Sequence, residues 1–292
     1  MGCRNHCRAD HPENTAIAFP GTQDKNTPWK FYNHLIGGIP EGIRVTDYCL
    51  GTHWSYLEAE CGMGVSFTCS GGAPRRFTLD LRGMELREVA ELAKSWNFPE
   101  ATLGVAALNA WYARPQLLDP LGAVYDAPVE LPDGTVRKLD AFELWRPRVE
   151  AAEAETGRRQ NVTVVGHFPH VDRIKEYANL TVLERNVSSE DDTPDPACEY
   201  VMPGTDFAFI TGVTIINKTA PRLLDLTADA RTIMVGPSVI MSPFLFEWGV
   251  DMLAGSVVGD PEKTRFAVKN GAGKLFGEAI RMMSLENPEE VR

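Results

Sequence analysis

The chain has 292 residues, 43% of them hydrophobic, which is enough for one large or two medium domains with a sizeable core. Its 40 acidic residues outnumber its 29 basic ones and give a formal charge of -11. A negative field of this kind repels phosphate backbones and anionic membrane surfaces. The composition therefore argues against nucleic acid and against membranes as partners.

The location of the protein is predicted from its cysteines and its apolar segments. Six cysteines in a chain of this length are few, and they follow no disulfide-scaffold spacing. The first residues lack the apolar core of a secretory signal, and no run of 18 apolar residues appears. We therefore expect a cytoplasmic protein that does not span a membrane.

Residues 1–27 are polar, are interrupted by Pro and Gly, and show no sustained period, which predicts a mobile leader. The leader carries Cys3, His6, Cys7 and His11 in a C-x2-H-C-x3-H arrangement. These side chains suit zinc or another soft metal, but their spacing is tighter than that of a zinc finger. An irregular leader is the favoured interpretation, and a metal site there is the alternative.

The next segment predicts a small α+β domain over residues 28–138. A short helix is expected at 28–37, followed by three extended stretches, "IRVTDYCLG", "HWSYLEAE" and "GVSFTC", that predict an antiparallel meander. Helices are expected at 84–96 and 100–112, and the second is apolar nearly all round, which predicts that it is buried. The proline-containing stretch 113–138 is the expected domain connection.

From residue 161 onward, short apolar strands alternate with helices, as in "VTVVG", "VDRIKEYA", "LTVLE", "FAFITG", "APRLLDL" and "TIMVG". Strands separated by single helices need crossover connections and are therefore parallel neighbours. Residues 139–292, including a connecting helix, are predicted to form a doubly wound α/β domain. Such sheets bind ligands at the carboxyl ends of their strands, near the point where the strand order reverses.

The loop "GHFPH" follows the first of these strands. His167 and His170 lie three residues apart across a turn and could ligate a transition metal through neutral imidazole nitrogens. The alternative is that His170 opens a helix in solvent while His167 hydrogen-bonds the turn. A divalent metal ion is therefore the candidate cofactor, with both interpretations open.

The later strand ends carry further polar candidates. Glu184 ends its strand where a Rossmann-type protein places an acid, so it is a candidate ligand or general base. Thr211 and Asn217 could cap helices or hold a polar ligand. Gly236 permits an unusual backbone angle before a turn that ends in Ser238. No G-x-S-x-G elbow surrounds this serine, which argues against a hydrolase.

Several of these stretches resemble one protein family. "VVGHFP", "LERN", "DFAFITGVTIINKT" and "MVGPSVIMSPFLFEWGVDMLAGSVV" resemble the DUF364 family, for which heavy-metal chelation has been proposed. "LGTHWSYLEAECGMGVSFT" and "ATLGVAALNAWY" resemble its companion domain, DUF4213. The resemblance covers roughly residues 28–270 and implies a domain like the small domain of enolase, joined to a Rossmann-like domain, with a site in the cleft between them.

The resemblance also implies which residues bind the ligand. The positions that match the recurrent motifs are Asn109, Gly166, Pro169, Glu184, Thr211, Gly212, Asn217, Gly236, Pro237, Ser238 and Gly249. His167 falls at the variable position of the usual Gly-x-Phe-Pro motif. Val187 stands where a proline is expected after "ER-N", so that turn departs from the pattern.

Two functions fit these residues. The leading hypothesis is that a metal ion or a small metal-chelating metabolite binds in the interdomain cleft. The matched side chains are rich in oxygen and poor in sulfur, which suits a hard cation or a polar organic ligand. The alternative is an enzyme that acts on a small anionic metabolite, for example in metallophore synthesis or modification, with Glu184 as candidate base. A homodimer is compatible with either hypothesis.

Overall fold

The computed structural model describes residues 17, 19, 28–76, 80–130, 134–138, 140–275 and 277–288. The candidate metal ligands of the leader, Cys3, His6, Cys7 and His11, lie outside these residues. The first part of the chain consists of α1 (Trp29–Gly37), β1 (Val45–Leu50), β2 (Trp54–Ala59), β3 (Gly62–Phe67), α2 (Leu86–Ala90) and α3 (Phe98–Tyr112).

The predicted meander is confirmed, because β1, β2 and β3 form a three-stranded antiparallel sheet in that order. The buried helix is also confirmed, since α3 is covered along most of its length. Asn97 begins α3, and its side-chain oxygen accepts a hydrogen bond from the Glu100 amide at 3.0 Å. The helix predicted at 84–96 is shorter, because α2 tightens into a 3-10 helix at Glu91–Lys94.

The middle of the chain contributes a strand to the second sheet. It contains α4 (Pro115–Leu118), β4 (Val124–Tyr125), the hairpin of β5 (Pro128–Glu130) with β6 (Val136–Lys138), and α5 (Ala141–Thr156). Strand β4 pairs with the last strand of the large sheet, although its residues precede position 139.

The large sheet has eight strands. In addition to β4 it contains β7 (Asn161–Val165), β8 (Asn179–Glu184), β9 (Asp192–Pro194), β10 (Phe207–Thr211), β11 (Arg231–Val235), β12 (Met252–Val258) and β13 (Ile280–Glu286). The strand order is β4-β13-β12-β11-β10-β7-β8-β9. Strands β7 to β12 are all parallel, which confirms the predicted doubly wound arrangement. The sheet is mixed because β13 is antiparallel to β12, a pairing that the sequence did not predict.

The helices between these strands are short. They are α6 (Cys198–Val201), α7 (Val213–Ile216), α8 (Ala220–Leu226) and α9 (Pro261–Lys269). The helices predicted after β7 and β11 are 3-10 helices, at Val171–Glu176 and Pro243–Trp248. Ser242 precedes the second of these, and its side chain makes no capping hydrogen bond. None of the helices in the described ranges is long and apolar enough to cross a membrane.

The two sheets share one hydrophobic core. The largest cluster combines Phe31 and Leu108 of the first part with Ile210 and Leu245 of the second. Alternation along the strands directs other side chains, such as Phe209, to a separate cluster on the opposite face of the large sheet. The two parts of the chain are therefore packed against each other through buried apolar surface.

The closeness of α3 to the 3-10 helix at Glu91–Lys94 predicts an unequal effect of two glycine substitutions. A Cβ atom at Gly104 would lie 1.9 Å from the Ala93 backbone nitrogen, whereas one at Gly37 in α1 has nothing within 4 Å. We expect Gly104→Ala to lower the free energy of unfolding by at least about 1 kcal/mol. The control Gly37→Ala should be neutral or stabilising by up to about 1 kcal/mol. Urea unfolding of both variants tests this, and equal effects would contradict the packing.

Candidate functional site

The strand order reverses between β7 and β10, so their carboxyl ends form the switch point where α/β sheets bind ligands. Gly166 follows β7 with φ of +101°, and its amide donates to the Leu183 carbonyl at 2.9 Å. A Cβ atom here would lie 2.9 Å from Cγ2 of Thr211, the last residue of β10. Only glycine therefore fits this turn without strain or displacement.

Phe168 lies over two neighbouring turns of this edge. Hypothetical Cβ atoms on Gly166 and Gly236 would lie 3.7 and 3.8 Å from its ring. The ring also contacts Phe142 of α5 edge-on, with centroids 5.5 Å apart. The Phe168 ring thus fills the space over the turns. In a dinucleotide-binding fingerprint, glycines keep that space free for the ligand.

The turn after β11 joins the two parts of the chain. Ser238 is 2% exposed, and its hydroxyl oxygen accepts hydrogen bonds from the Phe67 amide at 2.8 Å and the Ser66 hydroxyl at 3.4 Å. Asn109 of α3 is 1% exposed and donates to the carbonyls of Val65 at 3.2 Å and Pro237 at 3.5 Å. The hydroxyl of Ser238 and the amide nitrogen of Asn109 therefore hold β3, α3 and the turn together.

The other predicted ligands after β10 are engaged in local structure. Gly212 packs against the turn, since a Cβ atom there would lie 2.4 Å from the Val239 amide nitrogen. The Thr211 hydroxyl accepts from the Val213 amide at 3.3 Å. The Asn217 side-chain oxygen accepts from the amide and the hydroxyl of Thr219 at 3.1 and 2.7 Å. These bonds fix the backbone that carries the next residue, Lys218.

Lys218 is a half-buried lysine at the junction of the two parts. Its Nζ donates to the carbonyls of Ser95 and of Ile216, the latter at 2.7 Å. The ring centroids of Trp96 and Phe98 lie 5.8 and 5.9 Å from Nζ. No carboxylate in the described part of the chain forms an ion pair with Nζ, and burial lowers the pKa of the ammonium to about 7.

Cys69 approaches Lys218 from the loop after β3. Its amide donates to the Thr102 hydroxyl of α3 at 3.1 Å, which holds the loop on the helix. Burial raises the pKa of the Cys69 thiol to about 11, and the charges of Lys218 and Arg185 act in the opposite direction. Cys69 after β3, Arg185 after β8 and Lys218 after α7 therefore influence one another electrostatically at this edge of the sheet.

The sequence pointed to neither Cys69 nor Lys218 as a site residue. Cys69 reads as a small buried residue beside a strand, and Lys218 reads as a polar residue at a helix boundary. The signal that was available is a lysine two positions after the apolar residues of "GVTIINK". Only the contact with Ser95, 123 positions earlier in the chain, shows that this lysine lies at the domain junction.

The two predicted metal ligands lie beside this edge. His167 is exposed, and its Nδ1 lies 3.6 Å from a carboxylate oxygen of Asp192, while His170 begins a 3-10 helix with φ of +63°. Both histidines line a cavity of about 500 Å³ together with Pro169, Asp172, Lys175 and Asp191. Within the described ranges no three His, Cys, Asp or Glu side chains are grouped so that they could hold a metal ion.

Glu184 and Arg185 end β8 at the same edge. The Glu184 carboxylate accepts a hydrogen bond from the Asn186 amide at 3.0 Å and is half-buried. The Arg185 guanidinium pairs with Asp195 at 2.8 Å and remains exposed. The Glu184 carboxylate is thus hydrogen-bonded within its own turn, and the neighbouring Arg185 guanidinium faces solvent.

The family of the chain follows from comparison with known proteins. Residues 150–283 match the DUF364 family model and residues 32–112 match the DUF4213 model, each described as "putative heavy-metal chelation". A crystal structure of a DUF364 protein from Desulfitobacterium hafniense is 30% identical, with a TM-score of 0.72, over 89% of this chain and 98% of that one. The chain belongs to the DUF364 family.

Two more distant proteins resemble this DUF364 protein along most of its length. An uncharacterised protein of Methanocaldococcus jannaschii is 27% identical over 270 residues, which cover 87% of this chain and 94% of that protein. A DUF364 crystal structure from Pyrococcus horikoshii is 24% identical with a TM-score of 0.67, over 88% of this chain and 97% of that one. This second structure shows the same fold.

Two buried serines of the DUF364 protein test the junction. Ser238→Ala leaves the part-buried Phe67 amide without its acceptor, so the free energy of unfolding should fall by about 1 kcal/mol. The matched control is Ser256→Ala, because that serine is 3% exposed and its hydroxyl has no hydrogen-bond partner within the described residues. Urea unfolding should show little change or a gain for Ser256→Ala, and a loss as large as that of Ser238→Ala would contradict the prediction.

The pKa of Lys218 predicts a dependence of stability on pH. Above pH of about 7 the folded protein releases this proton, whereas the unfolded chain keeps it until about 10.5. Because the unfolded state then binds more protons, the contribution of Lys218 to the free energy of unfolding rises with pH across this window.

Urea unfolding between about pH 6 and pH 9 measures that contribution as the difference between wild type and Lys218→Met. As the pH rises, the free energy of unfolding of the wild type should increase relative to that of Lys218→Met. The control Lys218→Arg stays charged throughout and should lack the rise. A difference that is constant over this range would contradict a lowered pKa.

Proposed function

We propose that this DUF364 protein binds a small anionic metal chelate, meaning a metal ion already held by an organic chelator, in a cleft at the carboxyl edge of the large sheet. The cleft is defined by Gly166, Thr211, Arg185, Lys218 and Cys69. The observation that carries the proposal is the mismatch between the family description and the side chains of the described residues.

A bare heavy-metal ion does not fit these side chains. A metal held only by protein needs at least three ligands from His, Cys, Asp or Glu, and no such group exists within the described ranges. His167 and Asp192 supply two ligand types 3.6 Å apart, but no third one. A chelator brings its own ligand atoms, so the protein needs only to recognise the complex.

The charges and shape of the cleft support an anionic occupant. Lys218 is positively charged up to a pH of about 7 and forms no ion pair within the described residues, and the exposed Arg185, which pairs with Asp195, adds a second cation near the Cys69 thiol. The glycine turn at Gly166 packs tightly against Thr211 at this edge, so a side chain added there would displace the residues that define the cleft. Local positive charge in an otherwise acidic protein of charge -11 would select the ligand by electrostatic complementarity.

Isothermal titration calorimetry with a defined panel tests the proposal. The probes are Ni²⁺ or Fe³⁺ alone, citrate, a catecholate and an aminocarboxylate alone, and the complexes of each metal with each chelator. At least one complex should bind with a dissociation constant below about 1 mM and more tightly than either of its components. Stoichiometric binding of a metal ion alone, or no binding of any complex, would overturn the proposal.

Two glycine variants link binding to the cleft. Gly166→Ala and Gly277→Ala strain the backbone alike, because the φ angles are +101° and +106°. Only the first brings a Cβ atom against Thr211, since nothing lies within 4 Å of Gly277. We expect Gly166→Ala to weaken binding of the complex by about tenfold or more, or about 1.4 kcal/mol, and Gly277→Ala to leave it unchanged. Equal affinities of the two folded variants would place the site elsewhere.

A further inference from the structure

We propose that the cavity beside β8 binds a small organic cation, an amine with a flat apolar body, through the carboxylate of Asp192. This inference goes beyond the chelate cleft and does not depend on it, because the cavity lies on another face of the large sheet. Phe168 and Val182 line the cavity and belong to the apolar cluster on that face, whereas the first part of the chain packs on the opposite face.

A short crossover leaves space for the cavity. Strands β7 and β8 are parallel neighbours, and the connection between them contains a 3-10 helix of six residues, Val171–Glu176. Crossovers between parallel strands usually carry a longer α-helix, which covers the face of the sheet. Here Leu180 of β8 stays half-buried, and the adjoining cavity of about 500 Å³ has the volume of a small-molecule pocket.

Part of the cavity wall is apolar. Leu180 and Val182 lie two positions apart on β8, so their side chains point to the same face of the sheet, and Val171 of the 3-10 helix lines the cavity with them. The rings of Phe168 and His167 add flat surfaces to the wall. These side chains suit a ligand with a flat apolar body, because a bare ion would gain nothing from them.

Asp192 supplies a buried carboxylate to the same wall. Its side chain is 2% exposed, and its Oδ2 accepts hydrogen bonds from the Ser188 and Ser189 amides, each at 2.9 Å. These amides hold the pKa of the Asp192 carboxyl below its ordinary value. Its Oδ1 lies 3.6 Å from Nδ1 of His167, which is longer than a hydrogen bond. A carboxylate has about four acceptor positions, so Asp192 can still accept a hydrogen bond from a ligand.

The charges of the wall favour a cation. Among the described residues that line the cavity, three aspartates outnumber one lysine, and this Lys175 pairs with Asp191 at 2.8 Å. Asp172 and Asp192 therefore have no lysine or arginine partner within the lining. An ammonium group gains a charge-assisted hydrogen bond at Asp192, whereas an anion of the same shape is repelled.

Three ligands of one shape test the dependence on charge. Tryptamine carries an ammonium group on an indole body, tryptophol carries a hydroxyl instead, and indole-3-acetate carries a carboxylate. In isothermal titration calorimetry the wild type should bind tryptamine with a Kd below about 1 mM, at least about tenfold more tightly than tryptophol and more tightly still than indole-3-acetate. No binding of tryptamine, or equal binding of tryptophol, would overturn the inference.

Two variants of one loop test the position of the site. Asp192→Asn removes the charge but keeps an oxygen that can accept from the Ser188 and Ser189 amides, and it should weaken tryptamine binding by about tenfold or more. The control Glu190→Gln removes the same charge from an exposed residue two positions earlier, outside the cavity wall, and should leave the affinity unchanged. Equal effects of the two substitutions would contradict binding in the cavity.

Proton NMR of the wild type gives an independent readout. Ring currents of a bound indole should shift the imidazole C–H signals of His167 and His170, which line the cavity, and leave those of His34 and His53 in place. If tryptamine binds without shifting the signals of His167 and His170, the ligand lies elsewhere and the inference is wrong. The chelate cleft is tested with metal complexes and glycine variants, so either proposal can fail while the other stands.

Discussion

One hydrogen bond between the two sheets fixes how the two parts of this protein meet. The Phe67 amide at the end of β3 donates to the Ser238 hydroxyl in the turn after β11. The Ser238 hydroxyl loses water when the sheets pack together, and the hydrogen bond from the Phe67 amide replaces it in the packed arrangement. The core shared by the two parts adds apolar burial to the same junction. A second polar contact, from the Tyr32 hydroxyl to the Ile215 carbonyl at 2.8 Å, ties α1 to α7.

This junction explains why Lys218 is where it is. Once β3 and α3 lie against the turn after β11, the loop that carries Ser95 and Trp96 covers the residues that follow α7. The lysine then exchanges water for two carbonyls and two aromatic rings. Its lowered pKa is therefore a product of domain packing, and any change that loosens the junction should restore the ordinary behaviour of the amine.

The residues that sequence patterns identified divide into two groups. Gly166 and Thr211 lie at the switch point, as a parallel sheet requires. Ser238 and Asn109 also lie at this edge, but the hydroxyl oxygen and the amide nitrogen join the two parts of the chain. A motif shows that a side chain matters at a position, but it does not separate a group that binds a ligand from one that binds another strand. That choice depends on partners more than 100 positions away.

The ligand roles of these residues, the division into domains and the likeness to the enolase small domain stay predictions.

The sequence by itself determined the meander, the buried helix and the parallel strands β7 to β12. Each of these depends on local periodicity and on the need for crossovers between parallel neighbours. Tertiary structure alone decided that β13 returns antiparallel to β12 and that β4 joins it, because edge pairing depends on which strand the chain meets. It alone brought Lys218 to Ser95 and Cys69 to Lys218. Burial and charge proximity are properties of the packed chain, and no local pattern of residues encodes them.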